Sequence, residues 1–339
     1  MTTSSSVHSL TTSNSSKISQ PPLFYAVRAL RRELFEFRSD YPLEAVDIAG
    51  THDSLHYYIW SQHLFLEDLI FDDVGVPRKN YRAQGPQYNP LFVAWWGLFN
   101  LQKYLRHDDQ RGLQKFMVQL EWLKLNGVHR KDGAVVWPCY FDWQEGFCRL
   151  RTPWISAMYQ GVVISTLIRG YRLTGDQALL DLCKKATVVF HQTIEDGGVQ
   201  SLVNGQILYE EYPGYPLARV LDGFLFSLLG LYDFAVQSNT IEARGLFDQG
   251  VGGLKEALEF WDYRNKWSWY GNKAYLSPPH YHKLNYSLLS ILGKLTGEEK
   301  LLRYATLWEG TSRSFADRLE IYLTFIITKN LARLRLPRN

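Results

Sequence analysis

The chain has 339 residues, of which 46% are hydrophobic and 15% aromatic, and its formal net charge is +3 at pH 7. This length suffices for one large domain or two ordinary ones with an ample core. The nearly balanced charge excludes the strongly basic surface that nucleic-acid binding requires. The aromatic share favours a protein that binds sugars, although an aromatic-rich core explains it equally well.

Residues 1–20 are rich in Ser and Thr and contain no apolar segment of the signal-peptide kind, so we predict a disordered tail there. The most apolar run, at 321–327, is far shorter than the ~20 residues of a membrane span. The three cysteines, Cys139, Cys148 and Cys183, lack metal-type spacing and indicate a reducing compartment. We therefore expect a cytoplasmic protein without a membrane span.

Residues 21–85 are predicted to form a mixed, partly extended N-terminal part that caps the ligand site. Within it, residues 46–48 and a turn at 75–76 fit a short hairpin. Residues 86–335 form the predicted principal domain.

That domain contains a repeat marked by four prolines, Pro90, Pro153, Pro216 and Pro279, each 63 residues after the last. Each proline is predicted to open an apolar helix, because proline is favourable in the first helical turn. A more amphipathic helix follows each apolar one. Four helical hairpins with no strand signal between them predict a mainly α fold, an (α/α) toroid whose apolar helices form the inner ring.

The long connections precede the inner helices, so we expect them to gather at the end of the ring where the inner-helix N-termini point. They contain many of the Tyr, Trp and charged residues. Helix N-termini favour anions. An aromatic-lined bowl of this kind suits an acidic polysaccharide, and the simpler alternative is that the loops are ordinary polar surface.

One connection carries the sequence YEEYPGY, in which Glu210 and Glu211 lie between Tyr209, Tyr212 and Tyr215. Tyrosine is a poor base at neutral pH because its pKa is ordinarily near ~10. Neighbouring Lys or Arg and removal from water can tune it. Such groups suit the removal of a weakly acidic C–H proton beside a carboxylate, as at C5 of a uronic acid.

Two further patterns leave alternatives open. Ser156 and Gln160 are four residues apart on one predicted helical face, where they could bind ligand hydroxyls or bond to each other between helices. His280 and His282 form an HxH pair, a weak metal signal. With no phosphate loop, dinucleotide fingerprint or nucleophile–base pattern, no metal or cofactor is expected.

Several blocks now identify a family resemblance: FDDVGVP, QYNP, WISAMYQG, YEEYPGYPLARVLDG and the YH of PPHYHKLNYSLL. Over about 250 residues the chain resembles the C-terminal domain of the D-glucuronyl C5-epimerase family, which converts D-glucuronate to L-iduronate in heparan-type chains. The resemblance implies an (α/α) toroid with an N-terminal β part. It also implies an acidic polysaccharide as substrate and partner, and association as a homodimer.

Residue by residue, the resemblance implies Glu211, Tyr212 and Tyr281 as catalytic residues. Tyr270 is the third tyrosine, with Tyr275 as its rival because the loop before Tyr281 is shorter than in animal members. Asp222 stands where Asn is usual. The predicted substrate-binding residues are Trp154, Ser156, Gln160, Tyr88, Asn89, Arg82, Lys273 and Asn285 (where His is usual). Of these, Arg82 or Lys273 would neutralise the uronate carboxylate.

The expected function is therefore C5 epimerisation of glucuronate in a heparosan-like or other glucuronate polymer. A uronate lyase shares the first step and differs in losing the C4 substituent before the proton returns. A glycan-binding protein without catalytic activity is the alternative from a different class.

Overall fold

The computed structural model describes residue 31 and residues 42–46, 54–61, 65–311 and 313–335. The predicted tail at 1–20, and positions 47–48 of the predicted hairpin, lie outside the described residues. Residues Ser39–Asn339 form one compact unit, and a separate part ending at residue 85 stays a prediction. Among the described helices, none combines the length and apolar composition that crossing a bilayer requires.

The described chain is mainly α, as predicted. Four helical hairpins follow one another: α1 Pro90–His107 with α2 Gln110–Asn126, α3 Ala157–Thr174 with α4 Gln177–Ala186, α5 Leu221–Ser238 with α6 Ile241–Trp261, and α7 Pro279–Thr296 with α8 Glu299–Glu309. A short 3-10 helix, Val188–His191, follows α4, and α9, Phe315–Arg335, ends the described chain.

In each helical hairpin the two helices are joined by the same arrangement of two residues. The helices α1, α3, α5 and α7 end at a residue with left-handed backbone, and the next residue is the N-cap of the following helix. These pairs are Asp108 and Asp109, Gly175 and Asp176, Asn239 and Thr240, and Gly297 and Glu298. A residue in the left-handed conformation reverses the chain direction, and Gly and Asn adopt this conformation at the lowest energetic cost. An Asp or Thr N-cap side chain accepts a hydrogen bond from a free N–H of the next helix.

The helices α1, α3, α5 and α7 pack side by side in that order, and each packs against its own hairpin partner. The closest approach is between α3 and α5, where a Cβ on Gly230 would lie 2.2 Å from the carbonyl oxygen of Gly161. Both helices are buried over most of their length, as the apolar inner ring requires. Closure of the arrangement into a complete toroid stays a prediction.

The prolines predict two helix starts correctly and two wrongly. Pro90 and Pro279 open α1 and α7. α3 begins only at Ala157, because Ser156 has extended backbone and its Oγ accepts the N–H of Tyr159 as an N-cap. α5 begins at Leu221, after Arg219, whose φ of +53° is incompatible with a right-handed helix running from residue 216.

The prediction that no strands lie between the helices is wrong, because every long connection before an inner helix contains an antiparallel hairpin. The strands are β1 Glu44–Ala45, β2 Ile59–Trp60, β3 Leu69–Phe71, β4 Pro77–Tyr81, β5 Gly85–Tyr88, β6 Val128–His129, β7 Val135–Val136, β8 Trp143–Glu145, β9 Cys148–Leu150, β10 Gln200–Val203, β11 Gln206–Tyr209, β12 Asp262–Tyr263, β13 Trp267–Tyr270 and β14 Tyr275–Leu276. β3–β4–β5 and β12–β13–β14 form three-stranded sheets, and the others form pairs.

Turn chemistry explains these hairpins. Asn204 and Gly205 join β10 to β11 with φ of +51° and +79°, the signature of a two-residue turn that matches strand twist. Gly75, with φ of +88°, lies in the turn between β3 and β4, where a turn was expected. The Asn-Gly pair at 204–205 was visible in the sequence and indicates a hairpin.

Candidate active site

The first turns of the four inner helices line one cavity of about 310 Å³. The contributing residues are Leu91, Phe92 and Trp95 from α1, Met158 and Tyr159 from α3, Asp222 from α5, and His280, Tyr281 and Leu284 from α7. The connections that precede these helices supply most of the remaining wall. The end of the helices expected to hold the ligand is therefore hollow and aromatic.

All four predicted catalytic residues line this cavity. Glu211 and Tyr212 come from the segment after β11, Tyr270 ends β13, and Tyr281 lies in the first turn of α7. Glu211 and Tyr212 are buried, and the rings of Tyr270 and Tyr281 are 5.7 Å apart between centroids. Four residues spread over 71 positions of the chain thus meet in one cavity.

The two adjacent acids of YEEYP point to different environments. The Oε1 of Glu210 accepts a hydrogen bond from Ser201 Oγ at 2.5 Å, and its Oε2 accepts from the N–H of Arg219 at 3.2 Å. Its main-chain carbonyl accepts from the N–H of Ala157. Glu210 therefore ties the connection to its surroundings, which leaves Glu211 to face the cavity.

Trp154, Ser156 and Gln160, predicted to face the sugar, are absent from the described lining of this cavity. The Trp154 indole donates to the carbonyl of Phe141 at 2.7 Å, and Ser156 caps α3. This corrects the prediction that Ser156 and Gln160 share a helical face, because Ser156 precedes the helix.

Gln160 is wholly buried and bonds to backbone on three sides. Its Oε1 accepts from the N–H of Trp137 at 3.1 Å, and its Nε2 donates to the carbonyls of Val135 and Ala186 at 3.0 and 3.2 Å. The amide thus joins three chain segments, and its donors and acceptor are occupied within the protein. These bonds favour a buried, hydrogen-bonding position for Gln160, although its hydrogen-bond partners are backbone groups and not Ser156, as the alternative drawn from the sequence had it.

The other predicted substrate-binding residues also lie outside the lining. Asn89 caps α1 and donates to Tyr81 Oη at 2.7 Å, and Asn285 donates to Ser268 Oγ at 3.2 Å. Tyr88 is exposed and its phenol donates to Asp72 Oδ2 at 2.7 Å. The partners of Asn285 and Tyr88 do not line the cavity, whereas Tyr81, the partner of Asn89, does.

The two cations expected to neutralise a uronate carboxylate are not in this cavity either. Arg82 is exposed in the turn between β4 and β5. Lys273 is exposed, and its Nζ lies 4.8 Å from the centroid of the Phe260 ring. Of the Lys and Arg residues in the described chain, the one that lines the cavity is Lys79 on β4.

Lys79 was missed, although the sequence contained a signal for it. Side chains two apart on a strand share one face, so Lys79 and Tyr81 of β4 point the same way, and both line the cavity. The Nζ of Lys79 donates to the carbonyl of Glu67 at 2.6 Å and lies 3.9 Å from Asp68. Burial lowers its pKa, against an opposing effect of Asp68.

Three other titratable groups were not predicted as site residues: His280 and Asp222, which line the cavity, and Glu145, whose Oε1 accepts from the Tyr270 phenol at 3.3 Å. Burial raises the pKa of Asp222 to about 6. Burial also raises the pKa of Glu145 to about 7. For Glu211, burial and then the charge of Asp222 raise the carboxyl pKa well above its usual range.

The phenols remain protonated in these surroundings. Burial raises the pKa values of Tyr212, Tyr270 and Tyr281, and neighbouring carboxylates raise them further. No Lys or Arg is among the principal influences on these three groups in the described chain, so the tuning expected from a neighbouring cation is not found. At neutral pH the three phenols are proton donors.

A second cavity of about 460 Å³ shares Tyr270 and Val220 with the first. Tyr275 lines only the second, and its ring stacks on that of Tyr270 with centroids 5.1 Å apart and planes 13° from parallel. Of the two rival tyrosines, Tyr270 therefore faces the group of Glu211, Tyr212 and Tyr281, and Tyr275 backs it.

The family model described as D-glucuronyl C5-epimerase C-terminus matches residues 131–310, which is more than half of the chain. The chain belongs to this family. The match includes Glu211, Tyr212, Tyr270 and Tyr281, and it begins after β4 and α1, so Lys79 lies outside it.

Two individual proteins are also similar to this chain in sequence. A D-glucuronyl C5-epimerase of Caenorhabditis elegans is 31% identical over 227 residues, which cover 62% of this chain and 36% of the worm protein. An uncharacterized protein of Methanocaldococcus jannaschii is 27% identical over 178 residues, which cover 51% of this chain and 57% of the archaeal protein. The chain thus spans between about one third and three fifths of the length of these relatives.

Proposed function

We propose that this protein is a polysaccharide C5-epimerase that converts D-glucuronate residues to L-iduronate in a heparosan-like or other glucuronate polymer. The observation that carries the proposal is the meeting of Glu211, Tyr212, Tyr270 and Tyr281 in one cavity of about 310 Å³. Membership of the C5-epimerase family supports the reaction type.

Epimerisation at C5 needs one group that removes the proton and another that returns a proton to the opposite face. In our proposal the carboxylate of Glu211 removes the C5 proton, and the electron pair of the C–H bond moves into the uronate carboxylate. Tyr281 then donates its phenolic proton to the other face of C5. Glu211 then releases its proton to solvent, and the Tyr281 phenolate takes up a proton from solvent. In the reverse reaction Tyr281 removes the C5 proton of L-iduronate and Glu211 returns a proton to the opposite face.

The pKa shifts of Glu211 and Tyr281 support their proposed roles as base and acid. A carboxyl group with a raised pKa is a stronger base when ionised, and a general base works best with a pKa near the operating pH. Burial and the charge of Asp222 raise the pKa of Glu211 well above its usual range, so its carboxylate, once ionised, is a stronger base than an ordinary one. Burial and neighbouring carboxylates keep Tyr281 protonated, so that it can act as the acid.

Charge develops on the uronate carboxylate as the proton leaves, and donors already in place stabilise it best. We propose that Lys79 and the phenols of Tyr212 and Tyr270 serve this purpose, since all three line the cavity. Lys79 takes the role that the sequence suggested for Arg82 or Lys273.

A polymeric substrate fits the second cavity. It adjoins the first across Tyr270 and offers Trp269, Tyr275, Asn272 and Lys273 along its wall. Aromatic rings pack against sugar faces while amide and ammonium groups bind hydroxyls and carboxylates. We propose that a neighbouring sugar unit occupies this space.

Incubation of the protein with heparosan in heavy water tests the proposal. We expect deuterium at C5 and iduronate signals in the NMR spectrum of the product, with no ultraviolet absorbance of a C4–C5 double bond. Rising absorbance with shortening chains would identify a lyase instead. Binding of glucuronate polymers with no exchange in any of them would identify a glycan-binding protein.

A further inference from the structure

We infer that Asp222 is a positioning residue for the proton transfer, because its carboxyl group controls when the neighbouring Glu211 holds its proton. The inference deepens the proposed function and rests on it where catalysis is concerned. The protonation of Glu211 itself can be measured without any substrate.

The two carboxyl groups come together at the start of α5. Asp222 is the second residue of that helix, 5% exposed, and lines the same cavity as Glu211. The next residue, Gly223, touches Glu211 so closely that a Cβ there would lie 2.3 Å from Glu211 Oε2. The backbone of the residue after Asp222 is therefore the surface on which the Glu211 carboxyl group rests.

The Asp222 carboxyl group is only partly satisfied, since its contacts are the backbone N–H groups of Asp222 and Gly223. Its Oδ1 has no hydrogen-bond partner among the described residues. Neither Asp222 nor Glu211 forms a salt bridge within the described part of the chain. A buried carboxyl oxygen without a partner is costly, so a group kept in this state at a cavity wall points to a functional role.

The other titratable and charged groups around the pair come from every side of the cavity. They are Tyr212 beside Glu211, Glu145 of β8, Tyr270 of β13, His280 and Tyr281 of α7, Lys79 and Tyr81 of β4, Glu67, and Tyr159 of α3. Apart from Lys79 and His280, the described groups in this set are acids. Lys79 has its own acceptors in the carbonyl of Glu67 and the carboxylate of Asp68.

Two buried acids in such a place cannot both ionise easily, and they release their protons in two separate steps. The helix start favours the first ionisation at Asp222, because the backbone N–H groups of Asp222 and Gly223 lower its pKa against the effect of burial, leaving it at about 6. Above that pH, the charge of Asp222 holds the remaining proton on Glu211. The pair therefore passes through a state with one charge, on Asp222, and one proton, on Glu211, and Glu211 becomes the proposed base when this second proton leaves.

This arrangement predicts the effect of Asp222→Asn, which keeps the shape of the side chain and removes its charge. Glu211 then ionises at lower pH and is a weaker base. We expect the acidic limb of the pH profile of kcat/KM for C5 exchange to move at least one pH unit lower, with a lower plateau rate. Asp248→Asn, an exposed substitution on α6, is the matched control and leaves the profile unchanged.

An infrared titration of the protonated carboxyl band gives a readout independent of activity. In a pH titration, the wild-type protein should show a protonated carboxyl band that Glu211→Gln removes and that Asp222→Asn shifts to a lower titration midpoint. Glu211→Gln should leave the first titration step, that of Asp222, at its wild-type midpoint and remove the second step, because Glu211 is still neutral when Asp222 ionises. The neutral variant Asp222→Ser keeps the test of the Glu211 shift available if Asp222→Asn does not fold.

The outcomes separate the two proposals. The infrared shifts without exchange in any glucuronate polymer would support the Asp222–Glu211 coupling and overturn the epimerase function. An active enzyme whose pH profile and carboxyl band are the same in Asp222→Asn would overturn the coupling and leave the epimerase function in place.

Discussion

The carboxylate of Glu211 rests directly on Gly223, the third residue of α5, where a Cβ would stand 2.3 Å from Glu211 Oε2 and 2.8 Å from its Cδ. Only a residue without a side chain permits this contact, since real Cβ atoms do not approach so closely. The position of the proposed base is thus determined by the backbone of an inner helix.

Gly223→Ala should therefore displace the Glu211 carboxyl group. A displacement of about 1 Å from the productive geometry can cost about 100-fold in rate, so we expect C5 exchange to fall by about that factor or more. Gly245→Ala is the control: this residue is exposed on α6 with nothing within 4 Å of its Cβ position, and the change should add about 0.5–1 kcal/mol of stability. Exchange at the wild-type rate in Gly223→Ala would contradict the placement of Glu211.

Lys79→Met tests which cation meets the substrate carboxylate. Because Lys79 lines the cavity and Arg82 does not, we expect Lys79→Met to lower kcat/KM roughly 10- to 100-fold, the range of a lost hydrogen bond to a charged group. Arg82→Met, on the same hairpin, should change kcat/KM less than about threefold. A larger loss in the Arg82 variant would restore the expectation drawn from the sequence.

Glu145→Gln tests the cost of the buried carboxyl group beside Tyr270. The pKa of Glu145 is raised by burial from 4.5 to about 7, so its ionisation opposes folding: the associated stability is present below pH 4.5 and lost as the pH rises through about 7. We expect the Tm of Glu145→Gln to exceed that of the wild type at pH 8 and to match it at pH 4.5. The exposed Glu256→Gln serves as control and should show the same difference at both pH values. A stabilisation independent of pH would contradict the assigned pKa.

Gln160→Ala tests the structural role of this amide. The change leaves the N–H of Trp137 and the carbonyls of Val135 and Ala186 without their buried partner, and each such loss costs about 1–3 kcal/mol. We expect a loss of at least about 2 kcal/mol in urea unfolding, with KM little changed in the protein that remains folded. Gln114→Ala, exposed on α2, should be within about 0.5 kcal/mol of wild type. A raised KM with unchanged stability would return Gln160 to the substrate.

The repeat of helical hairpins was predictable because apolar periodicity and proline positions are local properties. The starts of α3 and α5 were not, because they depend on the N-cap at Ser156 and on the left-handed backbone of Arg219. The hairpins between helices depend on turn residues such as Asn204 and Gly205, whose signal was present and was overlooked. Closure of the ring and pairing into a homodimer stay predictions.

The residues of the site likewise include some that the sequence could predict and some that it could not. Motif identity predicted Glu211, Tyr212, Tyr270 and Tyr281, which meet in the cavity. Whether a polar side chain faces a ligand or the core depends on which distant backbone groups lack partners. The partners of Gln160, at residues 135 and 186, are 25 and 26 positions away, and periodicity does not show such a relation.

The central claim is that Glu211 and Tyr281 act on opposite faces of one C5 centre. The most direct test follows deuterium uptake at C5 by Tyr281→Phe and Glu211→Gln, each with an all-glucuronate and an iduronate-containing polymer, and with Tyr88→Phe as control. We predict that neither variant inverts C5. Tyr281→Phe should still exchange the C5 proton of glucuronate with retention, through Glu211, and Glu211→Gln should still exchange the C5 proton of iduronate with retention, through Tyr281. Interconversion of glucuronate and iduronate by either variant at close to the wild-type rate would contradict the claim.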